Sequence, residues 1–484
     1  MVRFAPEINI KSPKVKARFV KQLIANIKDA FKRQDIAITI TQEWNRLFVD
    51  MDHPSGLSLL SRVFGICHIS PVEASCSLDV AAMEEVLRGT YAAKAAGKKI
   101  CLRVRRAKEF LKVPSKSLEV QLGGVLATYA SGVDLTRPDL LVHMDLWQEG
   151  ALFYSEKIKG PGGLPLGSQG RALCLISGGF DSAVAAYMMM KRGVALDFCL
   201  FNLGGKAYEM AVLEVVKGLC DMWAHGVSPK LRVLDFTPIT EAIKEDVRPK
   251  YAQVVLKRAF YKCASRLAKM AKDCPCLITG EAIGQVSSQT LHNLVAIEEA
   301  SQVPVLRPLI AFDKEAIISL SRQIGSYSLC ENIKEFCGIN QKKPVTKCRV
   351  EEAKAAEEAA LTEDVYEKVF ADVTSYKVRD DIENHRQEET FIDHIPDGAI
   401  VIDTRTKQQY AAWHFPGAKR LSLEAIALMQ YEFDKDKVYV FYCPVGVETA
   451  LLAENLQKRG VKAYSFKGGS ACLVKYCQEE SLDW

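Results

Sequence analysis

The sequence is short of several features, and each shortage removes a class of function. No stretch approaches the ~20 uncharged apolar residues that a membrane-spanning helix needs. The opening "MVRFAPEINIKSPKVKARF" carries charge throughout and has no apolar core of a secretory signal, so a cytoplasmic protein is expected. The 15 cysteines lack the regular spacing of a secreted disulfide scaffold. There is no pair of CxxC motifs and no HExxH, the 8 histidines lie far apart, and "CPC" at 274–276 reads as a strand entry. No structural metal is therefore expected. No internal repeat is visible, and no GxxxxGK[ST] loop points to simple γ-phosphate hydrolysis.

What is present is a long, ordinary globular composition. The 484 residues, 48% hydrophobic and 25% charged, call for two to four domains. Residues 1–170 hold 24 Lys+Arg against 17 Asp+Glu, a net +7; subtraction from the totals of 64 and 59 leaves 40 against 42, a net −2, for the remainder. An N-terminal basic excess fits contact with a polyanion, and fits a merely solvated basic face as well. "GPGGLPLGSQG" (160–170) has the composition of a linker. From residue 171 short apolar runs ("RALCLI", "VALDFCLFNL", "LRVLDF", "CLITG") alternate with helical segments, which predicts a doubly wound parallel sheet. Residues 351–393 are acidic and Ala/Glu-rich and read as a helical linker. A smaller α/β unit, 394–484, begins near "GAIVIDTR".

The first of those apolar runs leads into "SGGFDS" (177–182). A buried strand that ends in glycines and opens a helix turns backbone N–H groups and a helix N-terminus toward one spot, which is an anion site. Gly178 and Gly179 allow close backbone approach, and Ser177 and Ser182 add hydroxyls. Asp181 is the odd member, because a carboxylate inside a phosphate cradle repels it unless Mg²⁺ lies between them. A plain Gly-Gly turn with a helix cap would use similar residues. In the smaller unit, the strand "VYVFYC" delivers Cys443 to a short loop and a helix, where loop amides favour a thiolate or persulfide anion.

The glycine loop resembles the pyrophosphate loop of the N-type ATP pyrophosphatases. Together with "GGLPLGSQGRALCLISGGFDS" (162–182) and "TGEAIGQVSSQT" (279–290), it resembles the tRNA 4-thiouridine synthases, a likeness that runs from "PEINIKS" to the end of the chain. "VIDTR", "HFPGAKRLS" and "FYCPVGVET" resemble a rhodanese domain. The resemblance implies a multidomain α/β protein: a ferredoxin-like domain (1–58), a THUMP domain (59–165), a PP-loop ATP pyrophosphatase domain (171–350), the linker and the rhodanese domain (394–484).

It further implies ATP and Mg²⁺ as cofactors, with Leu175, Ile176, Gly280 and Gln289 lining the ATP site beside the loop residues. Lys257 would face the nucleotide, although by pattern alone it is equally a surface lysine of an amphipathic helix. Leu200 to Asn202 would meet the adenine. Cys443 would carry sulfur as a persulfide and Cys337 would pair with it in a transient disulfide, although Cys337 also reads as an inert loop cysteine. The tRNA would be held by Lys11, Lys14, Lys16 and Arg18, and by Arg103 and Arg105, which strand alternation puts on one face with Arg106 pointing away. A cysteine desulfurase as donor, a sulfur-carrier protein of thiazole synthesis as a second acceptor, no membrane, and an open question of homodimerisation complete the implied partners. The loop "CPVGVET" departs from many rhodaneses in lacking an arginine. Arg405 would then supply part of that charge or brace the fold. An ATP-dependent ligating synthetase with the rhodanese unit as a regulatory passenger, or an RNA-binding protein with degenerate loops, are the competing readings.

Overall fold

The computed structural model describes all residues except 44, 107–112, 148, 272–273, 332, 334–338, 340–342, 380–389, 428–431, 445 and 481–484. Cys337 therefore lies outside the described residues. The chain divides into two compact units, Met1–Pro165 and Leu166–Trp484.

The first unit holds ten strands: β1 (Val2–Phe4), β2 (Thr39–Glu43), β3 (Arg46–Asp50), β4 (Ile66–Ile69), β5 (Ala74–Cys76), β6 (Lys99–Arg106), β7 (Gly132–Val133), β8 (Leu140–Trp147), β9 (Gly150–Tyr154) and β10 (Ile158–Lys159). They form two five-stranded sheets, ordered β10-β4-β1-β3-β2 and β5-β9-β8-β6-β7. Helix α1 (Pro13–Lys32) buries Phe19, Val20, Leu23, Ile27 and Phe31 against the first sheet, a helical repeat that places its lysines outward. Helix α2 (Ser115–Ala127) does the same for the second through Leu118, Leu122 and Leu126. The break expected at residue 58 falls inside the chain that builds the first sheet, because β4 and β10 both pair into it. Short edge strands carry too little periodicity to reveal such pairing. Between the sheets, Asp145 of β8 is 1% exposed and ion-pairs with Arg3 and, at 3.3 Å, with Arg46.

In the second unit β11 (Arg171–Leu175), β12 (Ala195–Asn202), β13 (Lys230–Asp235), β14 (Leu277–Ile278), β15 (Val305–Leu306) and β16 (Thr374–Lys377) make a six-stranded sheet, ordered β15-β14-β11-β12-β13-β16. All its pairings are parallel except that of β16. Helices α3 (Phe180–Lys191), α4 (Gly205–Trp223), α5 (Ala252–Met270) and α6 (Lys314–Gln323) connect its strands. The final sheet, β17 (Phe391–Ile392), β18 (Ile400–Asp403), β19 (Lys419–Arg420), β20 (Val438–Tyr442) and β21 (Lys462–Phe466), is wholly parallel in the order β17-β21-β20-β18-β19.

The acidic segment after residue 350 is not a linker over its described part. Helices α7 (Val350–Ala360) and α8 (Glu363–Ala371) bury Ala353, Ala360, Tyr366 and Val369 in cores shared with α5, and β16 closes the sheet edge on β13. Two of its buried positions, Ala353 and Ala360, are alanine, whose small side chain leaves almost no hydropathy signal. Glu357 is buried at 4% exposure. It accepts from Arg258 Nε at 2.6 Å and Tyr366 Oη at 3.0 Å, and Arg258 reaches Glu299 at 2.8 Å. Removing one partner of such a pair strands a buried charge, at a cost of about 3–5 kcal/mol. Glu357→Ala should therefore lower the urea midpoint of the second unit by that order, read by denaturation of the full chain. A segment acting as a free tether would leave the midpoint unmoved.

Candidate active site and candidate nucleic-acid interface

β11 ends at Leu175 and α3 begins at Phe180, so four residues make the whole turn. Gly178 takes φ +82°, where a Cβ would also lie 3.1 Å from Ile333 and Val212; the left-handed conformation requires glycine here. Ser182 Oγ donates to the Gly179 carbonyl at 3.0 Å, and Tyr208 Oη of α4 donates to the Ser177 carbonyl at 2.8 Å. These bonds hold the loop with its helix N-terminus open.

A cavity of about 470 Å³ lies in front of it. Leu175, Ile176, Ser177, Asp181 and Ser182 line one side. Lys257 comes from α5, and Gly280 and Gln289 from the stretch after β14. Gly178 and Gly179 form the turn behind this wall. Leu175, Ile176, Ser177, Asp181, Ser182, Lys257, Gly280 and Gln289 are thus brought together at one cavity, while Gly178 and Gly179 do not line it. Leu200 and Phe201 also face it, and Phe201 stacks on Phe260 at 4.5 Å, which gives the cavity an apolar slab. Asn202 is turned away: its amide binds the Gly205 carbonyl and Glu209.

Two features carry most of the constraint. At Gly280 a Cβ would fall 2.6 Å from the carbonyl carbon of Asp181 and 2.7 Å from the N of Ser182, so only glycine lets the strand-end backbone cross the helix start. Asp181 itself accepts from Lys314 Nζ and Gln285 Nε2, both at 2.7 Å. Lys314 opens α6, where Asp313 caps the helix through the N–H of Ala316 at 2.7 Å. Neither Lys314 nor Gln285 was visible as a partner in sequence, because no local motif links position 181 to 314. Among the described residues Lys257 has no ion-pair partner; its Nζ lies 5.6 Å from the Phe260 ring. The Gln289 side chain is 8% exposed and its carbonyl oxygen finds no partner, an acceptor left over for something in the cavity. Behind it, Glu281 accepts from Tyr261, from Thr279 at 3.2 Å and from Arg307 at 3.0 Å, a fully partnered floor.

Cys443 follows β20 and is 1% exposed. Its Sγ accepts from the Gly446 N–H at 3.1 Å and lies 3.5 Å from Thr449 Oγ1. Gly446, at φ +86°, caps α9 (Val447–Gln457), so the sulfur sits at a helix start with an amide aimed at it. Arg405 does not reach toward this thiol as a counter-charge. It is held by Asp403 at 2.7 Å and by the Trp413 carbonyl at 2.6 Å, and it braces the sheet. What the fold brings to the sulfur at this point is the Gly446 N–H.

In the first unit Lys11, Lys14 and Arg18 are exposed at the start of α1 and Lys16 is half-buried, bonded to Asn45. Arg103 is occupied, donating to the Leu135 carbonyl at 2.8 Å, whereas Arg105 is exposed. Arg103 and Arg105 share a sheet face with His143 and Asp145, their β8 partners. That register gathers residues the sequence reading passed over: Lys157 Nζ lies 3.4 Å from His143 Nδ1. Burial first, then Lys157 and Arg105, push the His143 pKa down to about 4. Burial followed by Arg105 and Arg3 also lowers Lys157. The carboxylate among these cations is Asp145, which Arg3 and Arg46 already bind.

Two outcomes follow. Gly280→Ala drives a methyl into backbone and should cost about 1–3 kcal/mol, seen as a lowered thermal midpoint of the second unit. His143 is a base whose folded pKa lies below its unfolded value near 6.5. The unfolded chain therefore binds more protons between these values, and the neutral ring's contribution to stability disappears as the pH falls from about 6.5 to 4. In His143→Gln the acid sensitivity of the first unit should shrink across that window, read as urea midpoint against pH.

The comparisons with known proteins converge. Residues 1–70 match the ThiI ferredoxin-like domain, 167–361 the thiamine biosynthesis protein (ThiI) family and 387–471 the rhodanese-like domain. A tRNA sulfurtransferase of Desulfurococcus amylolyticus is 36% identical over 479 residues, covering 97% of each chain. One from Shewanella halifaxensis is 35% identical, covering 96% of this chain and 99% of its own. The crystal structure of a 4-thiouridine synthetase–RNA complex with bound ATP superposes with a TM-score of 0.67 at 25% identity, over 78% of this chain and 98% of that one. With an anion loop, a sulfur-bearing strand end and near full-length kinship in agreement, the chain belongs to the tRNA sulfurtransferases, the 4-thiouridine synthase family with a C-terminal rhodanese domain.

Proposed function

We propose that this sulfurtransferase makes 4-thiouridine at position 8 of tRNA through an adenylated uridine. The observation that carries the reading is the single cavity where an anion-accepting loop, Asp181, Lys314 and an aromatic slab meet. Those parts suit ATP: an apolar slab for the base, loop amides and Lys257 for phosphates, and the unpartnered Gln289 oxygen for a donor. Mg²⁺ would arrive with the nucleotide, held by Asp181 and phosphate oxygens, and would neutralise charge on the departing pyrophosphate. The exposed cations Lys11, Lys14, Arg18 and Arg105, with Lys16 and Arg103, steer the RNA backbone in the first unit, whose second sheet serves as a THUMP domain.

Uridine O4 attacks the α-phosphorus, N3 gives up its proton, and pyrophosphate leaves. The product oxygen is now part of AMP, a far better leaving group. A persulfide on Cys443, loaded by a cysteine desulfurase, attacks C4 through its terminal sulfur and expels AMP. Cys337 thiolate then attacks the Cys443 sulfur, breaking the S–S bond so that 4-thiouridine departs as a thiolate. Alternatively Cys337 attacks the persulfide itself and frees hydrosulfide as the nucleophile. Either route leaves a Cys337–Cys443 disulfide that external thiols reduce, as a reducing compartment demands. The same persulfide serves a sulfur-carrier protein in thiazole synthesis.

Sulfur transfer from a labelled persulfide donor to tRNA should be abolished in Cys443→Ala and Cys337→Ala while pyrophosphate release persists. Intact product formation in Cys443→Ala would favour the ligating-synthetase reading instead. Lys314→Ala and Asp181→Ala should each lower pyrophosphate release by about 10²–10³, the scale of losing one charge-stabilising contact. Asp181→Ala should still pass sulfur to the carrier protein, which separates the two roles.

A further inference from the structure

Helix α4 carries two apolar faces where a surface helix needs one. Val212, Leu213, Val216 and Leu219 point into the sheet's core, and all are at most 1% exposed. Ala207, Met210 and Ala211, at helical spacing on another side, are also buried, at 7%, 5% and 5% exposure. What covers this second face is the rhodanese unit. A cavity of about 460 Å³ lies between them, walled on one side by these residues and on the other by Gly446, Gly468 and Cys472.

The contact is also polar and directed. Glu454 of α9 accepts from the Lys206 N–H at 3.1 Å, an orphan donor in the first turn of α4. Gly205, at φ +73°, lets it do so, since a Cβ there would stand 3.1 Å from the Glu454 carboxylate. A carboxylate at a helix N-terminus is favourable by charge as well as by hydrogen bond. Because α9 starts at Gly446, whose N–H holds the Cys443 sulfur, the helix that carries Glu454 also carries the thiol loop. Cys443 itself is 1% exposed, out of reach of a protein-sized donor, and Gly446 of its loop lines the cavity against α4.

We propose that α4 is a docking platform for the rhodanese unit, that Glu454 is its latch, and that the docked arrangement shields Cys443, so that sulfur loading requires release of the latch. The docking stands on geometry alone; the consequence for loading rests on the persulfide reading above. Glu454 touches neither substrate nor sulfur and acts as a positioning residue.

The test uses the full-length protein, N-ethylmaleimide and mass spectrometry of each cysteine peptide. Glu454→Lys should speed alkylation of Cys443 by about tenfold, the equivalent of ~1.4 kcal/mol of docking, and Glu454→Gln by less. Lys458→Gln removes the other partner of Glu454, at 3.0 Å within α9, and should leave the Cys443 rate as it is. Cys477, 0% exposed in the rhodanese core, reports unfolding, and Cys67 in the first unit reports general reactivity. An unchanged Cys443 rate in Glu454→Lys would overturn the proposal. So would a parallel rise at Cys443 and Cys477, which would make Glu454 a support of the rhodanese fold. Because alkylation needs neither nucleotide nor RNA, its failure and the failure of the thiouridine reading can be told apart.

Discussion

The carboxylate of Asp181 stands in the first turn of a helix whose amides face an anion site, and it is tolerable there because Lys314 and Gln285 both bind it at 2.7 Å. A negative group at a helix N-terminus is favoured by up to about 1–2 kcal/mol, yet it competes with the phosphates that the same amides would hold. The lysine resolves the conflict by making the pair neutral. A bound nucleotide then finds a lysine and a carboxylate already placed to share its charge, with little reorganisation needed at the moment of reaction. The crossing of Gly280 over the Asp181 carbonyl belongs to the same constraint, because it fixes the helix start against the strand end that lines the cavity.

The parts legible in the sequence are those whose signal is local. A strand, two glycines and a helix must be neighbours in the chain to make an anion loop, so "SGGFDS" announced itself, and so did the strand, loop and helix around Cys443. The parts that were not legible depend on distant pairing. Lys314 reaches Asp181 across 133 residues, and Arg258 reaches Glu357 across 99. Strands β4 and β10 join the first sheet from beyond the boundary that composition suggested. The segment after residue 350 misled because alanine and a salt-bridged glutamate look alike whether they face water or fill a core. Arg405 shows the opposite failure: a cation that the sequence offered as a counter-charge for Cys443 is spent on Asp403 in space.

Two strand-to-helix loops of the second unit are versions of one device. Each is a parallel strand that hands the chain to a helix through a glycine with positive φ, Gly178 in one and Gly446 in the other. The first turns its amides to an open cavity and recruits side-chain cations around it. The second turns an amide to a sulfur atom and has no cation in its loop. The backbone dipole that the Gly446 N–H brings to Cys443 does not titrate, so that contact is not set by pH. It depends instead on whether the helix N-terminus remains in place and on what lies over it.

Shielding a sulfur carrier has opposed consequences, and their balance explains why a latch of modest strength suits the chemistry. A persulfide left open to water and small thiols is lost to side reactions, so the carrier gains from burial between loading and delivery. Burial too firm would stop the donor from reaching the thiol. One carboxylate on one N–H, beside Ala207, Met210 and Ala211 of α4, is a contact that can be released, as relative motion between domains requires. The same helix supplies Tyr208 to the nucleotide cavity. The Tyr208 hydroxyl binds the Ser177 carbonyl, so one helix touches both the loop and the rhodanese unit, and any coupling between them would be reciprocal.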